Sequence, residues 1–186
     1  MYRVNEIFYS LQGEGYHTGR PAVFIRFSGC NLRCPFCDTD FADFTEMSAE
    51  DIVAEAVRLF PDENERFCVL TGGEPTLQVD EELIRRLHAE RFYIAIETNG
   101  THQVLPQIEW VTCSPKAGSK VVLDYASEVK VVFVDENVEQ WRERIAADYY
   151  YLQPCSCSNT AEVVDYILRH PWWKLSLQTH KMIDIR

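Results

Sequence analysis

What most constrains the fold is an alternation of strand and helix patterns that recurs along the chain. The run "AVFIRF" (22–27) has the β-branched and aromatic content of a strand. Downstream, Ser48 can cap a helix with Asp51 reaching back, and Ile52, Val53, Ala56 and Leu59 recur on one helical face before Pro61 ends it. "FCVLT" (67–71) reads as a strand, "DEELIRRLHAE" (80–90) as a helix with Leu83, Ile84 and Leu87 inward, and "FYIAIE" (92–97) as a strand. Further strands are expected at 109–113, 128–134, 149–152 and 173–177, the last three separated by helices at 136–147 and 159–169; no helical pattern fills 114–127. Such alternation requires right-handed crossovers and a parallel sheet. About six or seven strands are too few for the eight-unit barrel. The expected fold class is therefore α/β, a partial, open barrel of the TIM type. With 186 residues, 46% of them hydrophobic, and no repeat or linker, the chain is expected to form one domain over residues 1–186.

The residues that follow each strand are polar or glycine-rich. Cys30 follows the first of these strands, "GGEP" (72–75) the next and "ETNG" (97–100) the third, with "SPK" (114–116), "QP" (153–154) and "QTHK" (178–181) after later ones. Barrel folds build their sites at the carboxyl ends of their strands, so these segments are expected to share one mouth.

Composition narrows the chemistry. A net charge of −11 disfavours holding a phosphate backbone, which excludes nucleic acid as the direct substrate. No run is apolar enough to span a bilayer, and "MYRVNEIFYS" lacks the order of a signal peptide, so a cytoplasmic location is expected. In that compartment the seven cysteines are expected as thiols, and a dense group of them reads as metal binding.

Cys30, Cys34 and Cys37 stand in C-x3-C-x2-C spacing, short enough to bring three sulfurs around one centre. A structural zinc site would need a fourth ligand from Cys155, Cys157 or one of the five histidines. In a four-iron cubane, three thiolates leave one iron open to a small ligand. Cys68 and Cys113 lie in apolar strands and are expected in the core, while Cys155 and Cys157 are expected in a solvent-side or packing role, since two thiols complete neither a cluster nor a zinc site.

"CNLRCPFC" resembles the cluster loop of the radical S-adenosylmethionine (radical SAM) superfamily, and "TGGEP" resembles that superfamily's Gly-Gly-Glu segment. From Val4 to the last residue, "EIFYSLQGEG", "GRPAVFIRFSGCN", "CDTDF", "IAIETNG", "SPK", "LQP" and "LSLQTHK" resemble, in order, segments of the 7-carboxy-7-deazaguanine synthase family. The resemblance implies a lyase of queuosine biosynthesis that converts 6-carboxy-5,6,7,8-tetrahydropterin to 7-carboxy-7-deazaguanine with loss of ammonia, using one [4Fe-4S] cluster, S-adenosylmethionine and Mg2+. It also implies an external one-electron donor of flavodoxin or ferredoxin type and a homodimer.

Residue by residue, the resemblance assigns Cys30, Cys34 and Cys37 to the cluster and Thr39 to magnesium. Phe36, Gly72, Gly73 and Glu74 fall to the cofactor, with Ser114, Pro115, Lys116, Gln153 and Pro154. Leu11, Gln12, Gly13, Glu14, Thr71 and Arg186, through its terminal carboxylate, fall to the substrate, and Arg26, Glu14 and His180 are the expected catalytic residues. The chemistry supports several of these independently: a guanidinium grips a carboxylate in two places, and an amide beside a carboxylate matches the edge of a fused heterocycle. The alternative is a glycyl-radical activase acting on a protein partner, which shares the cysteine loop but leaves "LQGEG", Arg26 and "QTHK" without a role.

Overall fold

The computed structural model describes residues 1–35, 37, 43–62, 64–135 and 137–186. Among the described residues, nine strands form a single sheet: β1 (Tyr2–Leu11), β2 (Pro21–Phe27), β3 (Thr45–Met47), β4 (Arg66–Gly72), β5 (Phe92–Thr98), β6 (Trp110–Cys113), β7 (Tyr125–Phe133), β8 (Ala146–Pro154) and β9 (Lys174–Leu175). Their order is β3-β1-β2-β4-β5-β6-β7-β8-β9. From β2 to β9 every neighbouring pair is parallel, and β1 is antiparallel to both β2 and β3. The sheet does not close, as the open-barrel reading required. The helices are α1 (Ala49–Leu59), α2 (Glu81–Ala89), α3 (Glu139–Arg144), α4 (Thr160–Arg169) and α5 (Thr179–Met182).

Local chemistry explains these boundaries. Ser48 and Asp51 form a complete capping box at the start of α1, and Asp80 caps α2 through the Leu83 amide at 3.0 Å. Ile52, Val53 and Ala56 of α1 and Leu83, Ile84 and Leu87 of α2 are buried against the sheet, with Leu59 partly buried beside them. β4 is buried along almost its whole length, which is why "FCVL" (67–70) is continuously apolar rather than alternating. Cys68 and Cys113 lie in the core, as expected. Burial pushes both thiols up, Cys113 to about 12, so they stay protonated.

Several boundaries differ from the sequence expectation. The helix expected at 136–147 is confined to Glu139–Arg144, because Ala146 and Ala147 already pair with Tyr125 and Ala126 and so lengthen both β7 and β8. Strand β9 keeps only Lys174 and Leu175 of the expected 173–177. Strands β1 and β3 were not anticipated, and His180, expected near a strand end, sits in the four-residue α5.

β1 has a direct consequence for the site. Its pairing with β2 shifts between Val4 and Glu6, a bulge that sets two steps of β1 against one of β2. Before the bulge Tyr2 faces the helices, its hydroxyl donating to Asp80 at 2.6 Å. After it, Glu6 lies opposite Arg26 and Phe8 opposite Phe24, and all four border the concave side. A one-residue insertion thus turns a charged residue from the helix layer to the cavity.

Candidate active site

The carboxyl ends of the parallel strands open into one cavity of about 840 Å3. Its wall on the β1–β2 side is a pair of arginines on an aromatic base. Arg26 donates through Nε to Glu6 at 2.8 Å, and the Arg186 guanidinium binds the other oxygen of the same carboxylate. Both guanidinium carbons lie over the Phe8 ring, at 5.8 and 5.1 Å from its centroid, and that ring stacks on Phe24 at 5.0 Å. The Ser10 hydroxyl donates to the main-chain oxygen of Arg186 at 2.6 Å, drawing the last residue to the mouth.

The segment after β1 is strapped across the concave face. The Gly19 amide donates to the Gln12 carbonyl at 2.7 Å, and Glu128 on β7 accepts from the Tyr16 amide at 2.8 Å. Thr179 of α5 donates to the Gly13 carbonyl through both its amide and its hydroxyl, at 3.0 Å each. A Cβ on Gly13 would lie 2.0 Å from Nδ1 of His180, so the lack of a side chain there lets the imidazole pack on this loop. Gln12, Gly13 and Glu14 therefore border the cavity beside His180.

Beneath them is a buried charge network. Glu97 on β5 accepts from Thr71 at 2.8 Å, Gln12 at 3.2 Å and Lys130 at 3.4 Å. The Lys130 ammonium also binds Glu14, whose other oxygen accepts from Gln178 at 2.9 Å. Burial alone would raise the Glu97 carboxyl, but the Lys130 ammonium and these hydrogen bonds hold it below the ordinary value. Burial likewise opposes the charge on Lys130, and Glu14, Glu97 and Glu128 outweigh it, raising its pKa. The stability from Glu97 is thus present above the ordinary carboxylate value and is lost only as pH falls through the lowered folded one; that from Lys130 persists at every pH below the ordinary lysine value. Both contributions hold across neutral pH.

The cysteine loop leaves the carboxyl end of β2. Asn31 donates to Thr101 at 2.8 Å and accepts from Asn99 at 3.0 Å, tying the loop to the end of β5. The amides of Gly73 and Glu74 donate to the carbonyls of Phe27 at 3.0 Å and Gly29 at 2.9 Å. Cys30, Cys34 and Cys37 all border the cavity. Among the described residues no group of three or more His, Cys, Asp and Glu is already drawn around a metal-sized point. A metal commonly gathers its ligands as it binds, and three soft thiolates on a short loop suit an iron–sulfur cluster, so the residues present fit that group.

Gly73 makes the close approach to this loop. A Cβ there would stand 2.0 Å from the Gly29 carbonyl oxygen, which is backbone and cannot swing aside. Gly73→Ala is expected to cost about 1–3 kcal/mol of stability and to displace the start of the cysteine loop. A lowered melting temperature with reduced iron retention after reconstitution would show this; a wild-type value of both would contradict it.

Most of the expected site residues meet here. Leu11, Arg26, Thr71, Gly72, Ser114, Lys116, Gln153, Pro154 and Arg186 border the cavity with those already named. Two assigned to the cofactor do not. Glu74 is fully buried, its carboxylate accepting from Thr98 at 2.7 Å and the Asn99 amide at 2.7 Å, so it ties the β4 and β5 ends together. Pro115 lines a separate, smaller cleft with Trp141. Phe36 and Thr39 lie outside the described residues. Cys155, expected on the solvent side or in packing, borders the cavity next to Pro154.

Glu6 and Lys130 are part of the cavity lining without having been singled out, whereas Glu97 and Gln178 begin the segments "ETNG" and "QTHK" that were expected at the mouth. Glu128 and Lys130 stand two apart in "SEVKVVF", and such spacing places two charges on the same face of a strand. That was the available signal. Among the described residues, six Lys and Arg side chains (Arg26, Arg33, Lys116, Lys130, Lys181 and Arg186) line the cavity against three side-chain carboxylates (Glu6, Glu14 and Glu97), a mainly cationic lining in an acidic protein, suited to anionic ligands.

An open parallel half-barrel with three thiols on the loop after its first parallel strand defines a radical SAM protein, and residues 24–154 match the sequence model of the Radical SAM superfamily. At full length, the chain is 55% identical to the 7-carboxy-7-deazaguanine synthase of Bacteroides thetaiotaomicron over 186 residues, covering 100% of both chains. It is 44% identical to that of Bradyrhizobium diazoefficiens, covering 100% of this chain and 99% of the relative. The crystal structure of QueE from Escherichia coli superposes with a TM-score of 0.80 at 30% identity, covering 95% of this chain and 93% of that one. The chain belongs to the 7-carboxy-7-deazaguanine synthase family of radical SAM enzymes.

Proposed function

We propose that this chain converts 6-carboxy-5,6,7,8-tetrahydropterin to 7-carboxy-7-deazaguanine with loss of ammonia, as a single radical SAM domain. The observation that carries the reading is the convergence of Gln12, Glu14, Arg26, Thr71 and His180 on the cavity that the three cysteines border. Cys30, Cys34 and Cys37 would hold the [4Fe-4S] cluster, and the Gly72–Gly73 backbone with Ser114, Lys116, Gln153 and Pro154 would hold S-adenosylmethionine. When bound and reduced, these groups supply a carbon radical able to take a hydrogen atom from the substrate.

The protein's own residues bind and orient. Arg26 grips the substrate carboxylate, and the Gln12 amide and Glu14 carboxylate meet the donor and acceptor edge of the pterin. Thr71 and His180 complete the enclosure, and the strapped loop with Arg186 closes one side of the mouth. Holding the reacting carbon at near-attack distance and keeping water away is the work these contacts perform. Magnesium at Thr39, an external flavodoxin-like or ferredoxin-like electron donor, a homodimer and a cytoplasmic location belong to the same proposal and draw on the resemblance of this chain to the family. Among the described residues no helix is long and apolar enough to cross a membrane.

The test is an anaerobic assay with the carboxytetrahydropterin, a chemical reductant and S-adenosylmethionine, reading the deazaguanine product by mass. Product formation supports the proposal. Cofactor cleavage that persists without product, under conditions where the substrate is intact, would overturn it in favour of the activase.

A further inference from the structure

Lys130 is among the most deeply buried cations of the molecule, at 5% exposure, and nothing in the assigned chemistry uses it. It lies in the middle of β7, aimed at the cavity, with Glu14 from the strapped loop on one side and Glu97 of β5 on the other. The charged and titratable groups around it come from every neighbouring element. Glu128 precedes it by two residues on β7, Lys116 follows β6, and Tyr151 is its register partner on β8. Gln178, which donates to Glu14, accepts in turn from Lys181 at 3.0 Å.

We propose that Lys130 is a positioning residue for substrate recognition: its ammonium locks Glu14 and Glu97 together in the ionised state, as a paired set of hydrogen-bond acceptors facing the cavity. The proposal rests on the pterin reading above and deepens it. An ionised carboxylate only accepts hydrogen bonds, whereas a protonated one also donates. Two carboxylates facing one low-dielectric cavity repel each other, and without a cation between them one takes up a proton. An ammonium can only donate, so its contacts to both acids fix both as acceptors. The heterocycle so selected must present N–H groups along the edge that meets the pair, as the amino-pyrimidinone ring of a pterin does. A ligand whose matching edge carries acceptors would leave those oxygens unpaired and be rejected.

Two predictions separate this role from a purely structural one. Binding of 6-carboxy-5,6,7,8-tetrahydropterin to the reconstituted, unreduced protein is measured anaerobically by calorimetry from mildly acidic to mildly alkaline pH. The wild type should bind with little pH dependence. Lys130→Met, which retains the stem, should bind about 10- to 100-fold more weakly at neutral pH and recover affinity as pH rises, because the freed carboxyl then ionises. It should also show a protonated-carboxyl infrared band that the wild type lacks. Unchanged affinity, or a loss equal at every pH without the new band, would overturn the lock.

Should Lys130→Met fail to fold, the wild-type protein decides alone. The 13C carboxyl signal of Glu97, assigned with Glu97→Gln, should remain at its ionised position on acidification to about pH 5. Titration of Glu97 above that pH would overturn the proposal. A wild-type protein that binds no carboxypterin would sink the functional reading instead, while the carbon signal still decides the lock.

Discussion

Arg26→Ala should lose nearly all turnover while keeping its iron–sulfur cluster. The guanidinium lies on the cavity wall, a quarter exposed, held by Glu6 at 2.8 Å and backed by the Phe8 ring, so it is oriented before any ligand arrives. A prealigned cation facing a substrate carboxylate in a partly desolvated cavity is worth about 2–5 kcal/mol, which predicts a fall in kcat/KM of roughly 30- to 5,000-fold. The cysteine loop starts beyond the end of β2, so the visible absorption of the cluster should match the wild type. Cleavage of S-adenosylmethionine without product should continue. Unchanged activity in this variant would refute the carboxylate grip.

The second large effect concerns the thiols. Cys34→Ala should reduce iron from about four atoms per chain toward none after reconstitution and abolish 5′-deoxyadenosine formation, since three thiolates are the least that hold a cubane with one open corner. Cys155→Ala is the matched control: Cys155 borders the same cavity, yet lies on the turn after β8 rather than on the loop after β2. It should retain its iron. Loss of iron from Cys155→Ala, or its retention by Cys34→Ala, would mean that the ligand set has been misassigned.

How much of this was legible in the sequence depended on the kind of signal. β4 and β5 read clearly because buried parallel strands are unbroken apolar runs, and α1 and α2 because their caps and apolar stripes agree. β1 was not legible: its bulge at the Val4–Glu6 step breaks the alternation, and Asn5 and Glu6 make the segment look like a polar loop. Three-residue β3 and four-residue α5 carry too few residues for any periodicity to show.

At the site, glycines, prolines and cysteines after strand ends announced themselves by residue type, and the family segments assigned them. Glu6 and Lys130 did not, because a charge within a strand reads as solvent-facing until the curl of the sheet shows that one face encloses a cavity. The carboxylate of Glu74 was misleading in the opposite sense. Its position beside Gly73 pointed to a ligand, but its two oxygens are spent on Thr76, Thr98 and Asn99, where they fix the geometry of the strand ends.

The most direct measurement is the low-temperature electron paramagnetic resonance spectrum of the anaerobically reconstituted, reduced protein, recorded before and after S-adenosylmethionine is added. A cluster held by Cys30, Cys34 and Cys37 with one iron open to the cofactor predicts a reduced [4Fe-4S] signal whose g-values shift on addition. A spectrum that ignores the cofactor, or a protein that takes up only zinc, would contradict the account.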